Sequence, residues 1–153
     1  MLSRSMIVGL LAASSVGSVW AQASACPCGG GSRLNQSQLA AALASRTVCA
    51  VTGTDRWQEL HSGAANASTG PLLELGNKAG GETVGTWTIN SGGAANTTVT
   101  YAYGGGNSYS YAVCEEGTGA VTARTYHFCG ARNITNAKLV DGTGSCGVGY
   151  TRP

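Results

Sequence analysis

The chain has 153 residues, with 24 glycines and only nine Lys+Arg against seven Asp+Glu, for a formal net charge of +2. So few charges and so much glycine exclude a coiled coil, a helical bundle and a charge-rich disordered tail. So even a balance argues against nucleic acid or an anionic membrane as the main partner. Residues 1–6 carry one basic residue, Arg4, and residues 7–21 form an apolar run too short to span a bilayer. Ala21-Gln22-Ala23 then supplies a small-x-small cleavage pattern. Residues 1–23 therefore read as a secretory signal peptide, leaving 130 residues, enough for one ordinary domain. No transmembrane segment is expected after cleavage.

Residues 24–33 read as a flexible leader of small residues, ordered only where its cysteines tie it down. Residues 34–153 read as a single β domain. Leu34, Leu39 and Leu43 among Ala and Gln favour one short helix over 34–44, capped by Asn35 or Ser37. Short strands follow at 47–52, 56–61, 71–75, 83–89, 97–103, 108–115 and 122–129, β-branched or aromatic and punctuated by Gly, Asn or Ser. The tail is less regular, with one more strand near 137–140. Regular short strands of this kind predict a mainly β fold, an antiparallel meander forming a small barrel or half-barrel.

All six cysteines follow the expected cleavage point: Cys26, Cys28, Cys49, Cys114, Cys129 and Cys146. An even count in an exported chain implies disulfides, with the pairing open. Cys26-Pro27-Cys28 brings two thiols close together, but no Cys-x-x-Cys and no nearby His supports a metal, so no metal and no cofactor is expected. Ala23-Ser24-Ala25-Cys26 has a faint lipobox character without the usual Leu.

The strongest pattern is period-two alternation through Trp87 and Ile89, then Val99, Tyr101 and Tyr103, then Tyr109 and Tyr111. Such a stripe is either the core face of a small barrel or the lining of a site for a small ligand or surface glycan, and the two agree if one end of the stripe opens into the barrel mouth. The candidate ligand-binding residues are Trp57, Trp87, Tyr101, Tyr103, Tyr109 and Tyr111. For these aromatics to share a face, strand partners must obey parity. One hairpin then pairs Trp87 with Tyr101 and Ile89 with Val99 around a loop at 92–96. The next pairs Tyr103 with Tyr109 and Tyr101 with Tyr111 around a loop at 104–108. A third pairs Tyr111 with Tyr126 and Tyr109 with Phe128. Cys114 and Cys129 then lie on the opposite face, roughly 20 Å apart, and must bond other cysteines.

Catalytic signals are few. The two histidines, His61 and His127, fall on different strands. Asp55, Trp57, Glu59 and His61 share one strand face, so Glu59 beside His61 is the best acid/base pair available, against the plainer reading of a partly solvated polar face. No Gly-x-Ser-x-Gly or Ser-x-x-Lys occurs, and Gly104-Gly105-Gly106 joins two strands rather than opening a helix, so it is no phosphate loop.

Thr47-Val48-Cys49-Ala50, Asp55-Arg56-Trp57-Gln58-Glu59-Leu60-His61, Val84-Gly85-Thr86-Trp87 and the run from Tyr101 to Tyr111 resemble a group of small exported bacterial proteins with no assigned activity. The resemblance covers roughly residues 39–129 and implies a secreted or periplasmic bacterial location. Gly85-Thr86-Trp87 is also similar to the Gly-x-Trp of lipocalin and avidin barrels. Lipocalins place that motif on the first strand, whereas strands precede it here, so their ligand residues do not carry over. The expectation is an exported, disulfide-bonded, non-catalytic module binding a small ligand or cell-surface component. The alternatives are a structural or envelope-associated role, then a hydrolase using Glu59 and His61.

Overall fold

The computed structural model describes residues 25–76, 80–93 and 95–150; the expected signal peptide lies outside them. After a two-residue strand β1 (Ser32–Arg33), helix α1 spans Gln36–Leu43. Asn35 caps it reciprocally: its side chain accepts from the Gln38 amide at 3.0 Å, and the Gln38 side chain accepts from the Asn35 amide at 3.0 Å. Arg46 donates to the carbonyls of Ala41 and Ala42 at the other end of the helix, satisfying groups that have no intrahelical partner.

Eight strands follow: β2 (Arg46–Thr52), β3 (Asp55–His61), β4 (Thr69–Glu74), β5 (Glu82–Asn90), β6 (Thr98–Tyr103), β7 (Ser108–Glu116), β8 (Thr125–Cys129) and β9 (Ile134–Asp141). Each pairs antiparallel with the next, and β9 returns to β2 through Arg46↔Asp141 to Cys49↔Lys138. The result is a closed eight-stranded up-and-down barrel. Its interior differs at the two ends. At the end where β2 begins, the buried Leu39 and Leu43 of α1 join Leu34, Ile89, Val99 and Leu139 in one core, so the helix seals that end. Burying a leucine of this kind contributes roughly 1.5–3 kcal/mol.

The first hairpin has the expected register, with Trp87↔Tyr101 and Ile89↔Val99. The second departs from it by two residues: Tyr101 faces Tyr109, and Val99 faces Tyr111. The Tyr103 amide donates to the Asn107 carbonyl at 2.9 Å. Only three glycines are left in the turn, and Gly105 and Gly106 at φ +85° and +87° make so tight a reversal possible. The third hairpin departs by four, pairing Val113 with Phe128 and Cys114 with His127. Thr122 and Ala123, expected to start β8, instead belong to a 3-10 helix, Val121–Ala123. Arg124 braces it by donating to the Gly119 carbonyl and pairing with Glu115 at 2.7 Å. Each departure is an even number of residues, so no side chain changes face.

Cys114 and Cys129 are therefore closer than expected, two positions apart across the β7–β8 ladder, on the outer face. The bonds are Cys26–Cys114, Cys28–Cys129 and Cys49–Cys146. The sulfurs of Cys26, Cys28 and Cys129 lie within 4.8 Å of one another. All three are spent in disulfides, which leaves no thiolate for a metal at Cys26-Pro27-Cys28 and no thiol for a lipid on Cys26. Residues 25–33 form a strap fixed to the outside of β7 and β8 by two disulfides and by Ser32↔Glu115. Its three glycines allow the close approach: a Cβ at Gly29 would press on the His127 ring and one at Gly30 on the Glu116 carboxylate. Gly31 adopts φ +86°, and a Cβ there would collide with the Glu115 carbonyl oxygen.

Gly31→Ala should accordingly lower the unfolding free energy by at least about 1–2 kcal/mol, the cost of a left-handed backbone with a side chain, while Gly149→Ala, with open space around it, should be close to neutral. Urea unfolding of both oxidised variants checks this; equal effects would mean the strap does not pack as described.

Candidate functional site

The end of the barrel away from α1 is hollow. Inward residues from β2, β3, β6, β7, β8 and β9 surround a cavity of about 370 Å³. Strand alternation decides which side chains reach it. Val48 and Ala50 on β2 face Glu59 and Trp57 on β3, and Tyr101 on β6 faces Tyr109 on β7. The aromatic wall has two groups of packed rings: Tyr103 and Tyr109, with centroids 6.0 Å apart, and Tyr101, Tyr111 and Phe128, with Tyr101 and Tyr111 5.9 Å and Tyr111 and Phe128 6.1 Å apart. These separations suit tilted and edge-to-face packing. At the rim, Tyr109 is 46 % exposed, and Asn107 and Arg132 are exposed beside it. Arg132 pairs with Asp55 at 2.8 Å and places its guanidinium carbon 5.8 Å from the Trp57 ring centroid.

A carboxylate and an imidazole lie inside, each hydrogen-bonded to a tyrosine. Glu59 is only 7 % exposed and accepts from the Tyr103 hydroxyl, which is 3.0 and 2.9 Å from its two oxygens. Burial first, and then the charge of Glu59, push the Tyr103 phenol well above its usual value, so it stays a donor. One layer deeper, His61 is fully buried, with Nε2 2.9 Å from the Tyr101 hydroxyl. Its ring also packs edge-on against Trp87 at 5.2 Å. Burial pushes His61 down to about 4, partly offset by the backbone at Arg46 and Glu59, so the ring is neutral at pH 7. Its Nδ1 is buried with no hydrogen-bond partner among the described residues. Tyr101 is held well above its ordinary value by the same burial.

The face carrying Asp55, Trp57, Glu59 and His61 thus points into the barrel, correcting the alternative of a partly solvated strand face. Closure of the sheet is the reason: it turns the whole row inward whatever its polarity. Glu59 and His61 are bonded to different tyrosines, Tyr103 and Tyr101. Among the candidate ligand residues, Trp57, Tyr101, Tyr103, Tyr109 and Tyr111 all line the cavity. Trp87 does not. It sits fully buried with its indole N–H donating to the Ser62 carbonyl at 3.1 Å, packed beneath His61. Ile134 and Arg132, which also line the cavity, carried no local signal; both sit where β8 turns into β9, a region expected to be irregular.

Because free histidine titrates near 6.5 and His61 near 4, protonation favours the unfolded chain. Its contribution to stability is complete above pH 6.5 and is lost as pH falls towards 4, a change of roughly 3 kcal/mol. His61→Gln keeps a partner for Tyr101 but cannot ionise in this range. Urea unfolding at pH 7 and pH 4 should show the wild type losing about 2–3 kcal/mol more than the variant. Equal losses would mean the ring is not buried in its neutral form.

Compared with known protein families, curated proteins and solved structures, the chain finds no match, so the reading of this site rests on its own geometry.

Proposed function

We propose that the protein is an exported binding module that takes a small ligand into the open half of its barrel. The observation that carries this is the cavity itself. Its volume of about 370 Å³ falls within the ~300–1,000 Å³ range of small-molecule sites. Half of its lining residues are aromatic, with a few convergent polar groups: Glu59, Asn107, the tyrosine hydroxyls and Arg132. A half-filled barrel fits binding better than a purely structural role, since a wall built for stability alone gains nothing by leaving such a void. A hydrolytic reading finds less support, because Glu59 and His61 are each bonded to a tyrosine rather than aligned on a common reacting atom. Export is supported by the signal-like residues 1–23, by the resemblance to small exported bacterial proteins, and by three disulfides, which fit an oxidising compartment.

The test uses N-phenyl-1-naphthylamine, a neutral probe that brightens in apolar surroundings. The wild-type protein should raise its fluorescence saturably. Ala50→Phe, which places a ring in the cavity from a buried wall position, should abolish the rise while leaving the β-sheet circular dichroism unchanged. No saturable binding by the wild type of this probe or of smaller molecules such as choline and 2-phenylethanol, or equal brightness from a folded Ala50→Phe, would sink the binding reading.

A further inference from the structure

We propose that the ligand of this cavity is a compact organic cation, a primary or quaternary ammonium, held by the Glu59 carboxylate within a cage of Trp57 and tyrosine rings. The inference rests on the binding reading above and names its ligand class. Three observations point the same way.

The first is the position of Glu59. A carboxylate 7 % exposed on the wall of a cavity acts through a medium much less polar than water, where its attraction for a cation is several-fold stronger. A carboxylate accepts from several donors at once, so its bond from Tyr103 is compatible with an ammonium N–H at the same group, while a quaternary ammonium would be held there by charge alone.

The second is the character of the walls. Trp57, Tyr103, Tyr109 and Tyr111 present rings whose negative faces attract cations, Trp most strongly. Trp57 already does so at the rim, where the Arg132 guanidinium stands 5.8 Å from its centroid. Arg132 is itself paired with Asp55 at 2.8 Å, so much of its charge is offset at the rim.

The third is the sign of the field. Burial does most to suppress ionisation at Tyr101, Tyr103 and Tyr111; the negative charge of Glu59 adds to it at all three, and Glu74 adds further at Tyr103. Arg132 opposes it at Tyr111. An anionic ligand would meet this field as repulsion.

The experiment pairs each cation with a neutral probe of the same shape: choline with 3,3-dimethylbutan-1-ol, and phenethylammonium with 2-phenylethanol. Binding is read from the indole N–H resonance of Trp57 in a nitrogen-15 correlation spectrum, with the Trp87 indole, buried away from the cavity, as the internal reference. At least one cation should move Trp57 saturably and leave Trp87 in place, its neutral partner binding at least tenfold more weakly. Glu59→Gln, which keeps an acceptor for Tyr103, should weaken the cation at least tenfold while the Trp87 resonance and the thermal midpoint show that the barrel is intact. Equal binding of the neutral partner, undiminished cation binding by folded Glu59→Gln, or no response to either cation from a protein that does bind N-phenyl-1-naphthylamine would each overturn the cation inference and leave the binding module standing. Failure of every probe would remove both.

Discussion

Closing the sheet between β9 and β2 imposes a strict division on this chain: every strand residue points either into a narrow interior or out of it. A closed barrel has no free edge, so each strand has a partner on both sides and each register is held from two directions. The consequences reach every part of the molecule. Alternation places the aromatic residues inside and the cysteines of β2, β7 and β8 outside. The strap and the tail can then be bonded to the outer wall without disturbing what the wall encloses.

What fills the interior follows from composition. With a single phenylalanine but six tyrosines and three tryptophans in the whole chain, much of the apolar bulk comes from rings that carry a polar atom. Such rings stabilise a core only when that atom is bonded. The barrel supplies a partner at several depths: Ser62 carbonyl for Trp87, His61 for Tyr101, Glu59 for Tyr103 and the Val121 carbonyl for Tyr126. Polar residues on β3 are thereby drawn inside, and the same chemistry that satisfies the core gives the cavity its carboxylate. Stability and site are two results of building with tyrosine in place of leucine.

Much of the fold was legible because it depends on period two. The helix, eight strand segments and the shared face of Trp87, Tyr101 and Tyr111 all come from local patterns, and parity survived the register errors. Registers themselves depended on turns. Nothing in the alternation says that Gly105 and Gly106 shorten one hairpin to three residues, or that residues 121–123 coil instead of extending. The site divides in the same way. Trp57 and the tyrosines announce themselves by size and spacing, whereas the inward aim of Glu59 and His61 is a property of closure, since polar residues on an isolated strand point equally well to water. Arg132 reaches the mouth only because the chain between β8 and β9 folds over to Asp55, far away in sequence.

The disulfide pattern has a consequence for the chain when it is not folded. Each bond spans most of the domain, with separations of 88, 101 and 97 residues. Through Cys28–Cys129 the covalent route from the strap to the tail bypasses almost the entire barrel. An oxidised chain that loses its sheet therefore cannot extend: the beginning of the domain stays tethered to β8, and β2 stays tethered to the tail. Such a denatured state exposes less surface and answers denaturant with a shallower slope than an open chain of equal length. It also keeps within short reach the segments that must meet to reclose the barrel, so the search for the native ring begins with much of its loop entropy already removed.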